Sequence, residues 1–228
     1  MYEKQTEVYN MDYRKETLAK PYPQTLDIGF VPNHWEKFPN PIKVYQKHAE
    51  GIPEPYCNYT HVFAVNDWPS GIHSIWPGGV QLIENIPEQY PNAVIMRLER
   101  MVGEAQSGLR NKIRGDMLEC LDRPYDMLSL VTFPSRMVKS ILNWLWFRNA
   151  PAAAEAQLFC SEFVVRPLRN RGVDIVDSVD AEVVSPARLM YQPEFIYIGQ
   201  ANEFTGVEMK TLKYNAMTYI KGILYATM

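Results

Sequence analysis

Two residues far apart in the chain have the types that nucleophilic catalysis needs. Cys160 stands in Leu158–Val165, where an apolar run turns into a predicted helix, and His61 stands in the strand-like run Tyr59–Val65. A thiol becomes a strong nucleophile only when it loses its proton. The partial positive charge of a helix N-terminus and a neighbouring imidazole both lower that cost. The pair predicts a cysteine nucleophile with a histidine base.

Short strands must position the histidine. The runs Leu26–Val31, Thr60–Asn66, Ile72–Trp76, Val80–Glu84 and Ala93–Leu98 are rich in β-branched or aromatic residues and are separated by proline and glycine. This composition is typical of strands joined by turns. The last four runs predict an antiparallel meander whose first strand carries His61.

Helices must position the cysteine. Helical spacing is expected over Ile42–His48, Ala105–Leu121, Met137–Phe147 and Phe159–Arg169, with Gly172 as the residue after the last helix. Pro167 removes one backbone hydrogen bond, so that helix is expected to be kinked or short with its first turn intact. Further strands are expected at Val173–Val176, Phe195–Ile198 and Thr218–Leu224.

Composition narrows the class of protein. The 228 residues are 46% hydrophobic and 21% charged, enough for one domain with a full core. A net charge of −3 with scattered lysine and arginine argues against nucleic acid as a partner. Three cysteines, whose spacing fits no zinc site, indicate thiols in a reducing compartment.

Segment boundaries and location follow from local composition. We expect a polar arm at residues 1–20, a domain at 21–200, and a C-terminal extension at 201–228 packed on the same domain. The N-terminus lacks a basic stretch followed by an apolar core, so the protein is expected to be cytoplasmic as synthesised. The longest apolar run, Met137–Phe147, is too short to cross a bilayer, so no transmembrane segment is expected.

The order of the motifs resembles a known family. A histidine on a strand, then Pro124-Tyr125-Asp126, then Phe159–Val164 around the cysteine, then Ser185-Pro186 are similar to the circularly permuted NlpC-type papain-like amidases and peptidases, the YiiX/YebB-like branch. The resemblance runs from about Leu26 to Gly199. In this permuted family the histidine precedes the cysteine, as His61 precedes Cys160.

The resemblance implies an α+β fold, an antiparallel sheet packed against helices with the nucleophile at a helix N-terminus. Cys160 would attack an amide or ester carbonyl and His61 would act as general base and then acid, through an acyl-enzyme and without a metal or organic cofactor. The implied substrates are peptides, amides or acyl compounds, such as cell-wall peptides.

One position departs from the family pattern. The family places an acidic residue on the strand after the histidine, and in Ile72–Val80 that point is Ser74. A serine can orient an imidazole but has no charge to stabilise imidazolium, so Ser74 is predicted as the orienting residue in a weakened role. Alternation along the strand is expected to turn His73 to the opposite face. Asn66, Asp67 and Glu84 stay open as alternatives.

Three functions stay open. The first is a cysteine amidase or peptidase. The second is a catalytically weak or inactive papain-like module for binding or assembly, for example a virion-associated component of a phage, which meets a protein partner through its N- and C-terminal extensions. With either function the protein is expected to be carried in a virion or released on lysis if it acts outside the cytoplasm. The third is a structural protein in which Cys160 is only a small buried hydrophobe.

Overall fold

A six-stranded antiparallel sheet organises the molecule. The computed structural model describes residues 22–33, 40–48, 50–125, 158–176 and 184–205. In these segments the strands are β1 (Ile28–Pro32), β2 (Tyr59–Asp67), β3 (Ser70–Ile75), β4 (Gly79–Ile83), β5 (Val94–Leu98) and β6 (Phe195–Gln200). Their order across the sheet is β4-β3-β2-β1-β5-β6.

The predicted meander is right for β2, β3 and β4 and wrong for β5, which pairs with β1 instead of β4. Burial explains the difference. Every residue of β5 is buried, as is most of β1, so both strands need neighbours on each side. β4 exposes Gln81 and Leu82, which suits the edge that it occupies.

Helices complete an α+β architecture. The α-helices of the described segments are α1 (Pro41–His48), α2 (Ile86–Gln89), α3 (Ser107–Leu118), α4 (Cys160–Asn170) and α5 (Pro186–Met190). Short 3-10 helices cover Tyr56–Asn58, Glu99–Met101, Glu104–Gln106 and Ala201–Phe204. Ser185 begins α5 as its N-cap, with its side chain accepting the Arg188 N–H.

The sheet separates two hydrophobic clusters. Val62, Ala64 and Ile72 belong to the larger cluster, which includes the apolar face of α4. Phe63 and Val65, which alternate with them along β2, belong to the smaller cluster on the other face. The strand that carries His61 is therefore buried on both sides.

Helix α4 continues past Pro167. It runs from Cys160 to Asn170, so the helix predicted over Phe159–Arg169 is formed and does not end at the proline. Burial of Val164 and Leu168 on the core side offsets the lost hydrogen bond. Gly172 then takes a positive φ of 77°, as expected for the residue after a helix.

The strand predicted at Val173–Val176 is not formed. The Val173 N–H returns to the Leu168 carbonyl and closes the end of α4, and the Val176 carbonyl accepts from Arg169 at 2.5 Å. These backbone groups are thus occupied by the helix end instead of a strand ladder. The predictions for residues 1–20, 137–147 and 206–228 lie outside the described residues.

No helix in the described part of the chain combines the length and the apolar content that a membrane span needs.

Candidate active site

Cys160 is the first residue of α4. Phe159 before it is extended, with φ −91° and ψ 170°, and forms the N-cap. The backbone N–H groups of the first helical turn have no acceptor within their own helix, so they concentrate partial positive charge around the cysteine. The Cys160 side chain is only 3% exposed, because it packs within the larger cluster.

Leu158, two residues before Cys160, forms hydrogen bonds through both its backbone carbonyl and its backbone N–H. Its carbonyl accepts a hydrogen bond from the Ser74 hydroxyl on β3 at 2.5 Å, and its N–H donates to the Pro124 carbonyl at 3.2 Å. Ser74 is fully buried. The predicted orienting residue for His61 therefore binds the segment that leads into Cys160 instead.

The Cys160 sulfur lies against the edge of β2. Its environment includes the backbone N–H of Val62, together with those of Ser161 and Cys160 itself. The sulfur is therefore close to the backbone of β2, beside the residue that follows His61.

The sheet is open at this point. Pairing of β2 with β3 runs from Phe63↔His73 to Asp67↔Ser70, so Val62 lies just beyond the last pair, whereas β1 still pairs with β2 at His61. The Leu158–Cys160 segment meets the sheet where β2 and β3 part.

His61 and His73 are in direct contact on the face opposite α4. The His61 Nε2 lies 3.2 Å from the His73 Nδ1, and the ring centroids are 5.3 Å apart. His61 is half-buried and His73 is 1% exposed. The Tyr90 hydroxyl lies 3.2 Å from the same Nδ1. Among the residues described, no hydrogen bond joins either ring to the Cys160 sulfur.

A bulge explains why His73 and not Ser74 meets His61. The hairpin begins with Asp67↔Ser70, and the register then shifts so that Val65 pairs with Gly71. Without this shift Ser74 would share the face of His61, as the sequence predicts. Because Asn66 is an extra residue on β2, His73 instead of Ser74 lies on the face of His61. The expectation that His73 points away is therefore wrong.

All three titratable groups of the site are neutral at neutral pH. Burial and the neighbouring His73 lower the pKa of His61 to about 3, and burial lowers the pKa of His73 to about 4. Burial raises the pKa of Cys160 to about 11, against the opposing effect of the backbone N–H groups. The resting site holds a thiol and two uncharged imidazoles.

The other candidates lie elsewhere. Cys57 is buried with Ile52 and Ala187 in a separate small cluster. Cys120 is buried near the end of α3, and its thiol donates to the Asp116 carbonyl at 3.4 Å. Asn66, one of the alternatives for orienting His61, is occupied by Arg114 at 2.6 Å. Asp67 and Glu84 are exposed and have no contact with His61 in the described structure.

The sequence does not point to Tyr90, because its segment has the composition of a turn between two prolines, Pro87 and Pro91. Its aromatic type next to a buried strand is the one signal that the sequence carries. No group of three or more His, Cys, Asp or Glu side chains within the described residues is arranged to hold a metal ion.

Comparison with protein-family models found no match, and a search of curated proteins found none either.

Proposed function

We propose that the protein is a cysteine-dependent amidase or peptidase that acts through Cys160 and His61. The observation that carries the proposal is the position of the sulfur beside the Val62 N–H, one residue from His61. Because the His61 Nε2 is engaged by His73, the Nδ1 is the ring nitrogen left for the thiol. The resemblance to permuted papain-like enzymes supports the same pair.

In the proposed reaction the Cys160 sulfur attacks the carbonyl carbon while its proton moves to the His61 Nδ1. The backbone N–H groups of Cys160 and Ser161, at the start of α4, donate to the oxyanion that forms. His61 then gives the proton to the leaving amine or alcohol as the C–N or C–O bond breaks. Water attacks the remaining thioester, loses a proton to His61, and the thiol is reformed with release of the acid.

His73 takes the place that Ser74 was predicted to fill. As a neutral ring it can accept a hydrogen bond from the His61 Nε2–H and so orient His61 without adding negative charge. An imidazolium at His61 therefore gains less than beside a carboxylate. Proton transfer concerted with attack fits this environment better than a preformed thiolate–imidazolium pair.

The substrates we propose are cell-wall peptides or acyl-amides, as the resemblance suggests. A second function is favoured by one observation, the 3% exposure of Cys160. A thiol that substrate cannot reach would make the domain a binding or assembly module, for example in a virion. Activity measurements separate the two.

The test compares Cys160→Ala, His61→Asn and the matched cysteine variant Cys120→Ala on acyl-amides, muropeptides and activated esters. The first two should lower kcat/KM by about 10³-fold or more, because nucleophile and base act as one unit. Cys120→Ala should stay within a few-fold of wild type. Thermal unfolding checks that each variant is folded.

Full turnover by folded Cys160→Ala would exclude cysteine catalysis. If wild-type protein turns over none of the three substrate types, the binding or assembly function is supported instead.

A further inference from the structure

We propose that Tyr90 is a positioning residue: its hydroxyl fixes which nitrogens of His73 and His61 carry protons, and so keeps the His61 Nδ1 free to act as a base. The inference rests on the proposed function for its catalytic meaning. The arrangement of protons that it states is a property of the resting protein and can be measured without a substrate.

The first step concerns the direction of the Tyr90 hydrogen bond. The Tyr90 oxygen already accepts a hydrogen bond from the Gln89 side-chain amide at 3.3 Å. Its own hydrogen is then available for the His73 Nδ1 at 3.2 Å. A phenol is a good donor and an imidazole nitrogen with a lone pair is a good acceptor, so we assign the Tyr90 hydroxyl as the donor and the His73 Nδ1 as the acceptor.

The second step follows from the chemistry of neutral imidazole, which has one N–H and one acceptor nitrogen. If the His73 Nδ1 accepts, the proton of His73 is on Nε2, which is buried without a hydrogen-bond partner in the described structure. The His61 Nε2, 3.2 Å from the same Nδ1, then carries an N–H, because two lone pairs would otherwise face each other. The Tyr90 hydroxyl and this N–H share the one lone pair of the His73 Nδ1. The His61 Nδ1 is left with its lone pair.

The opposite arrangement would disable the site. If the His73 Nδ1 carried the proton and donated it to the His61 Nε2, the His61 proton would be on Nδ1. That nitrogen could then not accept the thiol proton. The choice between the two arrangements depends on whether the Tyr90 hydroxyl donates to the His73 Nδ1.

The Tyr90 hydroxyl is held in place by its surroundings. The ring stacks on Phe63 with centroids 5.7 Å apart and planes 16° from parallel. The Tyr90 backbone N–H donates to the Ile86 carbonyl at 2.7 Å. Burial raises the pKa of Tyr90, so the hydroxyl keeps its proton through the neutral range.

The direct experiment is ¹⁵N NMR of full-length protein with labelled histidine at pH 7, since imidazole nitrogen shifts distinguish N–H from lone-pair nitrogen. His61→Asn and His73→Asn spectra assign the two rings. We expect N–H at Nε2 of both rings in wild type, and a mixture of tautomers in Tyr90→Phe. A proton on the His73 Nδ1 in wild type, or unchanged tautomers in Tyr90→Phe, would overturn the proposal.

Kinetics supply the second readout. Tyr90→Phe should lower kcat by about 3- to 10-fold with little change in KM, the range expected for one lost hydrogen bond. Tyr191→Phe, a matched change at an exposed ring, should leave both unchanged. In a His73→Asn background, Tyr90→Phe should have no further effect, because the amide oxygen at position 73 accepts without a tautomer choice. An equal loss in both backgrounds would contradict the inference.

The two proposals fail differently. If both rings carry their proton on Nε2 but the protein turns over none of the substrates, the Tyr90 inference is supported and the amidase proposal is contradicted. If turnover depends on Cys160 but the His73 proton is on Nδ1, the amidase proposal is supported and the Tyr90 inference is contradicted.

Discussion

At the scale of single residues, burial keeps Cys160, His61 and His73 uncharged. A thiol with a pKa near 11 and imidazoles with pKa values near 3 and 4 cannot form an ion pair in the resting protein. Their pKa values move in opposite directions because burial disfavours the anionic thiolate and the cationic rings alike. In the proposed reaction the Cys160 proton must therefore move to His61 during the attack, which makes the position of the His61 ring decisive.

The buried rings make stability depend on pH. Histidine in an unfolded chain titrates near 6.5, whereas His61 and His73 stay neutral in the folded protein until about pH 3 and 4. From pH 6.5 downward the unfolded state binds protons that the folded state does not, so the free energy of unfolding should fall. We expect about 1 kcal/mol per pH unit for each ring between pH 6 and 4, measured by urea unfolding.

His73→Asn tests the assignment of this effect. The substitution should reduce the slope of the free energy of unfolding against pH between pH 6 and 4. At pH 7.5, where neither ring titrates, the difference in free energy of unfolding between the variant and wild type reports the packing cost of the substitution alone. A slope identical to that of wild type would show that His73 is not a buried neutral ring.

At the scale of elements, the sequence was informative where local pattern decides the structure. The helix that begins near Cys160 and the strand around His61 could be predicted, and so could α1, α3 and β6, because periodicity and proline or glycine breaks fix such elements. The partner of His61 could not. It depends on a bulge at Asn66, and no local pattern distinguishes a hairpin with that extra residue from one without it.

Gly79, the first residue of β4, brings the sheet close to the segment that contacts Leu158. Gly79 has φ 75°, and a Cβ there would lie 2.2 Å from the Arg123 carbonyl oxygen. The carbonyl of Pro124, the residue after Arg123, accepts a hydrogen bond from the Leu158 N–H. Gly79 therefore allows the close approach on which the position of Leu158 depends.

Gly79→Ala should lower the free energy of unfolding by about 2 kcal/mol or more. An alanine there would have to adopt a positive φ, and its Cβ would clash with the Arg123 carbonyl oxygen. Gly115→Ala, in the middle of α3 with open space around it, is the matched control and should raise it by about 0.5–1 kcal/mol. Chemical unfolding measures both. Equal effects of the two variants would refute the strain assigned to Gly79.

At the scale of the whole molecule, long-range contacts hold the sheet that carries the site. Arg97 on β5 and Asp27 form a two-bond ion pair at 2.7 and 2.6 Å, and both side chains are at most 3% exposed. The same guanidinium binds the Tyr22 carbonyl at 2.7 Å. This fixes the segment before β1 against β5, which a sequence cannot show because the partners are 70 residues apart.

The site lies where the two faces of the sheet meet, at the end of the β2–β3 pairing. Helix α4 brings Cys160 from the larger cluster to the opening between β2 and β3, and the two histidines approach that opening from the other face. The proposed reaction requires the Cys160 thiol to transfer its proton to His61 through the opening between β2 and β3. That requirement is the central claim of the proposed function.

The most direct measurement is the intact mass of the protein during turnover of an activated ester, followed by peptide mapping. We expect a single acyl group on Cys160 in wild type, slower acylation by at least about 10³-fold in His61→Asn, and no adduct in Cys160→Ala. Turnover without an adduct, or an acyl group on Cys57 or Cys120 with Cys160 unmodified, would contradict the account.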